Sequence, residues 1–428
     1  MTQAHSEAPE EITAQPPLWR RLVADTTPLR ESHEYRRWWG GYSISFTGTQ
    51  LTQFAIPVQV YFLTHSSLAV GLVGLIVIGP LITMGLIGGS IADATDRRRL
   101  TLITSTGLLA LSTLLAVQAA LHLNQLWLLY LIAPVQAMFG ATDSAARGAI
   151  LPRLVRRELL PAANALGQLG FNAGLSLGPL LGGLLIGTVG FAWAYGVDAL
   201  TFLAVLYAVW RLPAMPPEGE TSKAGFRSVQ EGLRYLGPRK NLLMTFLVDI
   251  NAMVFGMPRA LFPAIGTTWF HGGAGTVGLL AAAPSIGAFL GAATSGWASR
   301  IRRQGLAVLI SVCVWGASIA IFGFTRLLWL ALVLLAIAGA ADMVSAIFRN
   351  TILQVATPDA LRGRLQGVFI VVVTGGPRLG DFEAGAVGNA FGLTASVVSG
   401  GLACIAGVAL LSARYPSFSG YDANDPVP

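Results

Sequence analysis

The chain has 428 residues, of which 54% are hydrophobic and only 11% carry a formal charge. Soluble globular proteins carry about 25% charged residues. This chain has too few charged residues to cover one surface that faces water, so its composition excludes an ordinary soluble globular protein. The formal net charge of +7 comes from short basic clusters between apolar stretches, which argues against nucleic acid as a partner.

The first predicted element is a polar segment, residues 1–37, which lacks the apolar core of a cleavable signal peptide and is predicted to be a cytoplasmic tail. Twelve apolar stretches follow, each long enough to cross a hydrocarbon core about 30 Å thick as an α-helix. They are residues 38–63, 68–92, 100–122, 125–149, 163–187, 191–211, 241–269, 274–298, 304–325, 327–351, 365–389 and 393–413.

A central cytoplasmic loop, residues 212–240, joins the sixth and seventh stretches. Within it Val229, Leu233 and Leu236 share one helical face, which predicts a short amphipathic helix at the membrane surface. Residues 415–428 are predicted to form a C-terminal tail.

Basic residues cluster in every second connection between the stretches. The clusters are Arg97, Arg98 and Arg99; Arg153, Arg156 and Arg157; Arg239 and Lys240; Arg300, Arg302 and Arg303; and Arg362 and Arg364. The alternate connections hold almost no basic residues, and Arg326 is the exception. Because arginine-bearing loops stay in the cytoplasm, the pattern predicts a multi-pass protein of the cell (inner or plasma) membrane with both termini cytoplasmic.

An internal repeat relates the two halves of the chain at an offset of roughly 200 residues. The four residues 140–143, Gly-Ala-Thr-Asp, recur as Gly-Ala-Ala-Asp at 339–342, and Arg147 recurs as Arg349. We therefore predict an all-α membrane protein with twelve transmembrane helices in two pseudo-symmetric six-helix bundles, with the substrate path at their interface. The predicted bundles are residues 38–211 and 241–414.

The loop after the second stretch contains a glycine, an aspartate four residues later and then a basic pair. This spacing resembles the signature of the major facilitator superfamily at the same loop, and the resemblance implies a major facilitator fold with a cytoplasmic gate. The residues assigned to the gate are Gly89, Asp93, Arg97, Arg98, Asp143 and Arg147. The alternative interpretation is an ordinary arginine-rich cytoplasmic loop.

Within this gate, Gly89 is expected to let two helices approach closely, and Asp93 is expected to pair with Arg147. The sequence departs from the family pattern at Ala94, where a basic residue is usual, and at Asp96, where glycine is usual. Both departures bear on the usual contacts between this loop and the neighbouring helices.

The fifth stretch carries a glycine-proline pattern that looks like the motif associated in this superfamily with exporters and antiporters. Its residues are Gly174, Gly178, Pro179, Gly182 and Gly183. Small residues four apart allow tight helix contact, and a proline removes one backbone donor and bends the helix. The alternative is generic packing of small residues.

Ionisable residues inside apolar stretches are costly and are therefore functional candidates. Asp249 lies about nine residues into the seventh stretch, roughly 13 Å deep at 1.5 Å per residue, close to the membrane midplane. The candidates for proton coupling are Asp249, Asp198, Asp381 and Glu383. The alternative for each is a static ion pair, as between Arg378 and Asp381, which are three residues apart.

Other polar residues in the stretches are candidates for binding a substrate. They are Arg259, Arg378, Gln50, Gln53 and Asn251. Arg259 is a candidate counter-charge for an anionic substrate, and the alternative is that its side chain reaches the outer membrane interface. Gln50 and Gln53 share one helical face and are expected to line a cavity.

No catalytic, metal-binding or cofactor-binding motif is recognised, so we expect neither an enzyme nor a cofactor. The chain has only two lysines, Lys223 and Lys240, and neither follows the glycine loop of an ATP site. Transport would therefore draw on an ion or substrate gradient rather than on ATP.

Three segments of the second half, residues 258–263, 281–296 and 357–364, are similar to the bacterial enterobactin exporter group of the major facilitator superfamily. The resemblance covers roughly residues 34–414. It implies proton-driven export of a catecholate siderophore by alternating access, with protons, lipid and a small molecule as the partners of a monomer. The alternatives are a proton-coupled multidrug or macrolide pump without a siderophore role, a solute importer, or a non-transporting membrane scaffold.

Overall fold

The structure is a computed structural model that describes residues 25–217, 226–357 and 359–422. The predicted tail residues 1–24 and 423–428, and residues 218–225 of the central loop, lie outside the described residues. The side chains of Arg362 and Arg364 also lie outside them.

The described chain is almost entirely helical. Its first half contains α1 (Thr27–Glu31), α2 (His33–Thr64), α3 (Ser67–Ala94), α4 (Arg97–Ala120), α5 (Leu126–Leu154), α6 (Leu160–Val189) and α7 (Phe191–Trp210). Its second half contains α8 (Phe226–Leu236), α9 (Lys240–Phe255), α10 (Phe262–Thr268), α11 (Ala274–Ala293), α12 (Gln304–Phe322), α13 (Leu328–Ala356), α14 (Asp359–Phe391) and α15 (Leu393–Arg414). Four short 3₁₀ helices are Arg157–Leu159, Arg259–Leu261, Ser295–Arg300 and Pro416–Gly420.

Side-chain caps fix where several helices begin. Ser32 accepts a hydrogen bond from the Tyr35 N–H at 3.0 Å, and Asp96 accepts one from the Arg99 N–H at 2.9 Å. Such caps satisfy backbone donors that have no partner inside the helix. Asp96, which replaces the glycine usual in the family pattern, is therefore the N-cap of α4.

In the described part of the chain, ten helical segments are long and apolar enough to cross a membrane. Helices α2 and α14 are not among the ten, although they contain 32 and 33 residues. These two helices carry many of the polar residues predicted to line a substrate path, including Gln50, Gln53 and Arg378. The chain is thus a multi-pass membrane protein with two unusually polar long helices.

The predicted seventh stretch, residues 241–269, is not one continuous helix. Helix α9 ends at Phe255, and the chain continues through Gly256 and Pro258 before α10 begins at Phe262. Pro258 has no N–H to continue the helix, and the Gly256 carbonyl accepts a hydrogen bond from the Trp315 indole N–H at 2.8 Å. The predicted membrane span is confirmed as Lys240–Thr268, but its helix is interrupted by a break that a distant residue stabilises.

Helices of the first half pack mainly on each other, with α2 against α6 and α7 and with α4 against α5 and α7. In the second half, α13 packs against α11 and α12, and α15 packs against α12. The halves meet along two crossings, α3 with α14 and α6 with α11.

Glycines permit close approach at both crossings between the halves. A Cβ atom on Gly71 would lie 2.7 Å from the Asp381 carbonyl oxygen, and one on Gly183 would lie 2.6 Å from the Ala274 carbonyl oxygen. Contacts this short exclude any side chain larger than hydrogen without a backbone shift. The two halves are therefore in direct backbone contact at these points.

Candidate functional site

Two adjoining cavities lie between the halves, with volumes of about 220 and 170 Å³. The larger, first cavity is lined mainly by first-half helices, and the second is lined by both halves. Gln53, Pro57, Val73 and Arg378 line both cavities, so the two spaces adjoin at these side chains. Gln50 lines the second cavity, and both glutamines predicted to face a cavity do so.

Arg259 stands in the break between α9 and α10 and lines the second cavity. Its side chain is exposed to that space and makes no hydrogen bond or ion pair with any residue that the structure describes. Arg378 and Asp381 line the same cavity, with their Nη1 and Oδ2 atoms 3.9 Å apart. We call these three residues the cation subsite, because the subsite itself is cationic: its two guanidinium groups outnumber its one carboxylate.

Aromatic rings form part of the first cavity. Tyr42, Phe46 and Phe171 line it, and the rings of Phe46 and Phe171 stack with their centroids 4.9 Å apart. We call these three residues the ring subsite. The Arg147 guanidinium lies over the Tyr42 ring at 4.8 Å from its centroid, so one face of that ring is already occupied.

The exporter-like glycines of α6 explain how three cavity-lining side chains of α2 are positioned. A Cβ atom added to any of three of these glycines would lie only 2.5 to 2.7 Å from the α2 side chain opposite, so the missing side chain lets α2 pack closely there. The pairs are Gly174 with Phe46, Gly178 with Gln50, and Gly182 with Phe54. Gly183 lies against α11 instead, where a Cβ would lie 3.0 Å from the Cα of Gly278.

Asp198 lies buried in the wall of the first cavity. Its Oδ2 atom accepts hydrogen bonds from the Thr52 hydroxyl at 2.6 Å and the Ser112 hydroxyl at 2.7 Å, whereas Oδ1 has no partner. No arginine, lysine or histidine among the described residues forms an ion pair with this carboxyl group. Within the part of the chain that the structure describes, hydroxyl groups are thus its only side-chain partners.

Arg147 pairs with Asp143, four residues earlier in α5, and not with Asp93 as expected. The Thr104 hydroxyl donates a further hydrogen bond to Asp143 at 2.7 Å. Asp93 forms no ion pair within the described residues. The prediction followed the family spacing, but the aspartate within the same helix lies on the same face as Arg147 and is the nearer partner.

The basic pair of the gate loop, Arg97 and Arg98, hydrogen-bonds to the chain at and just after the C-terminus of α7. Arg98 donates to the Trp210 carbonyl at 2.7 Å, which supplies a partner at the C-terminus of α7. Arg97 lies beside it, and its backbone N–H donates to the Met215 carbonyl at 3.1 Å.

The expected close approach at Gly89 is not found, because no atom lies within 4 Å of a Cβ placed there. Gly88 faces α5 instead, and a Cβ on it would lie 3.3 Å from the Cα of Thr142. Adjacent residues on a helix point about 100° apart, so the sequence alone does not show which of two successive glycines faces the neighbouring helix.

In the second half, Arg349 lies between two carboxylates. It forms an ion pair with Asp249, and its Nη2 atom lies 3.6 Å from the Asp342 Oδ1 atom. Asp342 also lines a smaller cavity together with Arg259. Asp342 was not among the predicted site residues, although it occupies the position that corresponds to Asp143 in the internal repeat, and this correspondence could have identified it.

Two sequence candidates lie apart from the central cavities. The Asn251 amide donates to the Cys404 carbonyl at 2.8 Å, so it joins α9 to α15 rather than lining the cavity with Arg259. Glu383 is partly buried on α14 and does not line either central cavity. The expectation that Asn251 binds a substrate is therefore not supported by its position.

The sequence matches the family described as transmembrane secretion effector over residues 23–426. It is 32% identical over 376 residues to the enterobactin exporter EntS of Shigella boydii serotype 18, a match that covers 86% of this chain and 88% of that protein. Identity and coverage are the same for the enterobactin exporter EntS of Escherichia coli O139:H28.

Solved transporter structures share the fold. A bacterial homologue of the human lysosomal transporter Spinster, inward-facing and unoccupied, superposes with a TM-score of 0.66 at 17% identity, covering 93% of this chain and 98% of that one. The nucleoside transporter NupG superposes with a TM-score of 0.65 at 13% identity, covering 91% and 98%.

Proposed function

The chain belongs to the transmembrane secretion effector family of the major facilitator superfamily, and on this basis we propose that it exports a catecholate siderophore such as enterobactin. Both enterobactin exporters compared above are matched over 88% of their length. A shared fold alone would leave the cargo open, since one fold serves many functions. The residues that line the cavity therefore decide which cargo fits.

The observation that carries the proposal is the guanidinium of Arg259, which lines the second cavity and forms no hydrogen bond or ion pair with a described residue. A guanidinium that is accessible from a cavity can form charge-assisted hydrogen bonds with a ligand that has acidic or acceptor oxygens. Arg378 adds a second guanidinium, while Asp381 offsets only one of the two. Catecholate oxygens suit such a site, and Gln50 and Gln53 offer further donors.

We propose further that the protein has twelve transmembrane helices in two six-helix bundles, residues 38–211 and 241–414, with both termini cytoplasmic. The lengths of α2 and α14 and the packing of each half on itself support this arrangement. Corresponding turns of the two halves share an unusual backbone: φ is 89° at Gly190 and 92° at Gly392. Rocking of the bundles about the central cavities would then give alternating access.

We propose that the proton gradient drives export and that the protein acts as a monomer. Of the four carboxylates suggested by the sequence, Asp198 is best suited to exchange a proton, because among the described residues only hydroxyl groups and no cation stabilise it. Asp249 and Asp381 each lie near an arginine, and Glu383 lies away from the central cavities.

The test is transport by the purified protein in proteoliposomes with an imposed pH gradient. Enterobactin should accumulate, and Arg259→Gln should lower the initial rate at low substrate concentration by about tenfold or more, as expected for a lost charge-assisted contact. Arg259→Lys keeps the charge and should lose less. Arg211→Gln is the matched control, because Arg211 is exposed at the end of α7 and lies over the Trp210 ring outside both cavities.

Movement of a macrolide but not of enterobactin would favour the drug-pump alternative instead. Absence of transport for both compounds, with the protein correctly folded, would contradict the proposal.

A further inference from the structure

The two cavities differ in the chemistry of their walls. The first contains the ring subsite (Tyr42, Phe46 and Phe171), and the second contains the cation subsite (Arg259, Arg378 and Asp381). Arg378 and Gln53 line both cavities, so the two subsites lie on either side of side chains that the cavities share. The arrangement places aromatic and charge recognition in adjoining spaces.

The ring subsite presents aromatic surface to the cavity. Phe171 is 38% exposed, and Phe46 and Tyr42 are partly exposed, although all three belong to helices that pack together. Aromatic side chains that line a cavity offer flat surfaces on which another ring can stack. The Arg147 guanidinium and the Trp38 ring both lie against Tyr42, and Phe46 and Phe171 stack on each other. The surface that remains for a ligand ring is therefore the cavity-facing side of the Phe46–Phe171 pair.

Backbone packing holds Phe46 in place. A Cβ on Gly174 would lie 2.5 Å from Cδ1 of Phe46, so the ring rests directly on the glycine of α6. Phe171 stands three residues earlier on the same helix, beside the ring that Gly174 supports. Ring positions defined by a helix backbone are more exact than positions defined by loops.

We propose that the cavity recognises its cargo at two separate subsites, with Phe46 and Phe171 stacking on an aromatic ring and Arg259 binding an acidic group. The cargo class is an amphipathic molecule that combines an aromatic ring with acidic oxygens. Gly174 is then a positioning residue, which acts through the placement of Phe46. This inference rests on the proposed export function for the identity of the natural cargo, but not for the chemistry of the two subsites.

The test is equilibrium binding of three small probes to the purified full-length protein by calorimetry. The probe 2,3-dihydroxybenzoate has both a catechol ring and an acid, catechol has only the ring, and cyclohexanecarboxylate has only the acid. Phe46→Leu removes the ring at similar bulk and should weaken 2,3-dihydroxybenzoate and catechol about three- to tenfold, leaving cyclohexanecarboxylate unchanged.

Arg259→Gln should show the opposite selectivity. It should weaken the two negatively charged acids by about tenfold or more and weaken catechol much less, because catechol is uncharged at neutral pH. Phe391→Leu is the matched aromatic control, since Phe391 is 76% exposed at the end of α14 and lines neither cavity. Gly174→Ala should reproduce the ring-selective loss of Phe46→Leu if it folds, and Phe171→Leu provides the same information without touching the backbone contact.

Equal loss of all three probes in Phe46→Leu and Arg259→Gln would overturn the proposal, because it would mean a general structural effect. Unchanged binding of every probe in both variants would overturn it as well. Selective losses as described, together with no transport of enterobactin by the wild type, would support the two subsites and refute the siderophore as cargo. Transport of enterobactin by the wild type without these selective losses would support the siderophore as cargo and refute the two subsites.

Discussion

Asp198 is a buried carboxyl group that forms no ion pair with a cation among the described residues. An ionised carboxylate enclosed by protein normally has a charged partner, whereas Asp198 has the hydroxyl groups of Thr52 and Ser112. Hydroxyl groups serve either protonation state, because they donate to a carboxylate and accept from a carboxylic acid. Such a site can lose and regain a proton without rearranging an ion pair.

We therefore expect Asp198→Asn to lower accumulation driven by a pH gradient by about tenfold or more, because the amide cannot carry a proton. Exchange of labelled for unlabelled cargo, which needs no net proton movement, should persist. Both rates are measured in the same proteoliposomes, with Asp25→Asn as the control for an exposed aspartate near the start of α1. Equal rates of driven transport in the variant and the wild type would remove Asp198 from proton coupling.

The contacts of individual side chains were the feature that the sequence predicted least well. The spacing that identified the gate loop did not identify the partner of Arg147, because Asp143 and Asp93 are both plausible from the sequence and only packing decides between them. Asn251 has the polarity expected of a binding residue, yet its amide is used by the Cys404 carbonyl. A polar residue in an apolar stretch predicts a partner, but the sequence does not say whether that partner is a ligand or a helix backbone.

At the scale of helices, the glycine pattern of α6 contributes directly to the shape of the cavity. The Cβ of alanine at position 178 would lie 2.5 Å from the Gln50 Cβ and 2.9 Å from the Gln50 carbonyl carbon. Backbone atoms are involved, so the contact cannot be relieved by a side-chain rotation alone. Helix α2 would have to move away from α6.

We expect Gly178→Ala to destabilise the protein by about 1–3 kcal/mol through overpacking and to reduce transport. Gly167→Ala, in the same helix, is the matched control, since no atom lies within 4 Å of a Cβ there. That control should be neutral or stabilising by up to about 1 kcal/mol, because alanine favours the helix more than glycine does. Thermal unfolding of the purified variants measures both changes, and equal stability of the two would show that the α2–α6 contact is not tight.

Helix positions followed well from the sequence, whereas the break near Arg259 did not. Uncharged stretches of sufficient length predict a span wherever the bilayer is the solvent, so α3, α12 and α15 lie within a few residues of their predicted bounds. The amphipathic α8 also occupies the segment that its apolar face predicted. The break after α9 depends on the Trp315 indole, about 60 residues away in sequence, and local patterns carry no information on such a contact.

At the scale of the whole molecule, the N-terminal end of α3 lies beside the C-terminal end of α14. The hydroxyl of Ser66 and the side-chain oxygen of Asn389 are 3.4 Å apart, and a Cβ on Gly385 would lie 2.5 Å from the Ser67 carbonyl oxygen. In the proposed orientation these ends are on the outside. Release of cargo to the outside would require them to separate.

A disulfide across these ends should therefore stop transport. We expect Ser66→Cys combined with Asn389→Cys to lose most of its activity on oxidation and to recover it on reduction. Each single cysteine variant is the control, and it also accounts for the native Cys313 and Cys404. Full transport by the cross-linked protein would exclude separation at this point.

The ion pair of Asp249 with Arg349 has a consequence for how the chain is made. The two residues lie 100 positions apart, so a ribosome delivers the acidic helix to the membrane well before its basic partner. An aspartate near the centre of a lone helix opposes insertion by about 2.5–3.5 kcal/mol. Helix α9 should therefore insert poorly in a chain truncated before α13 and fully in the complete chain, a difference that glycosylation mapping of nascent chains would detect.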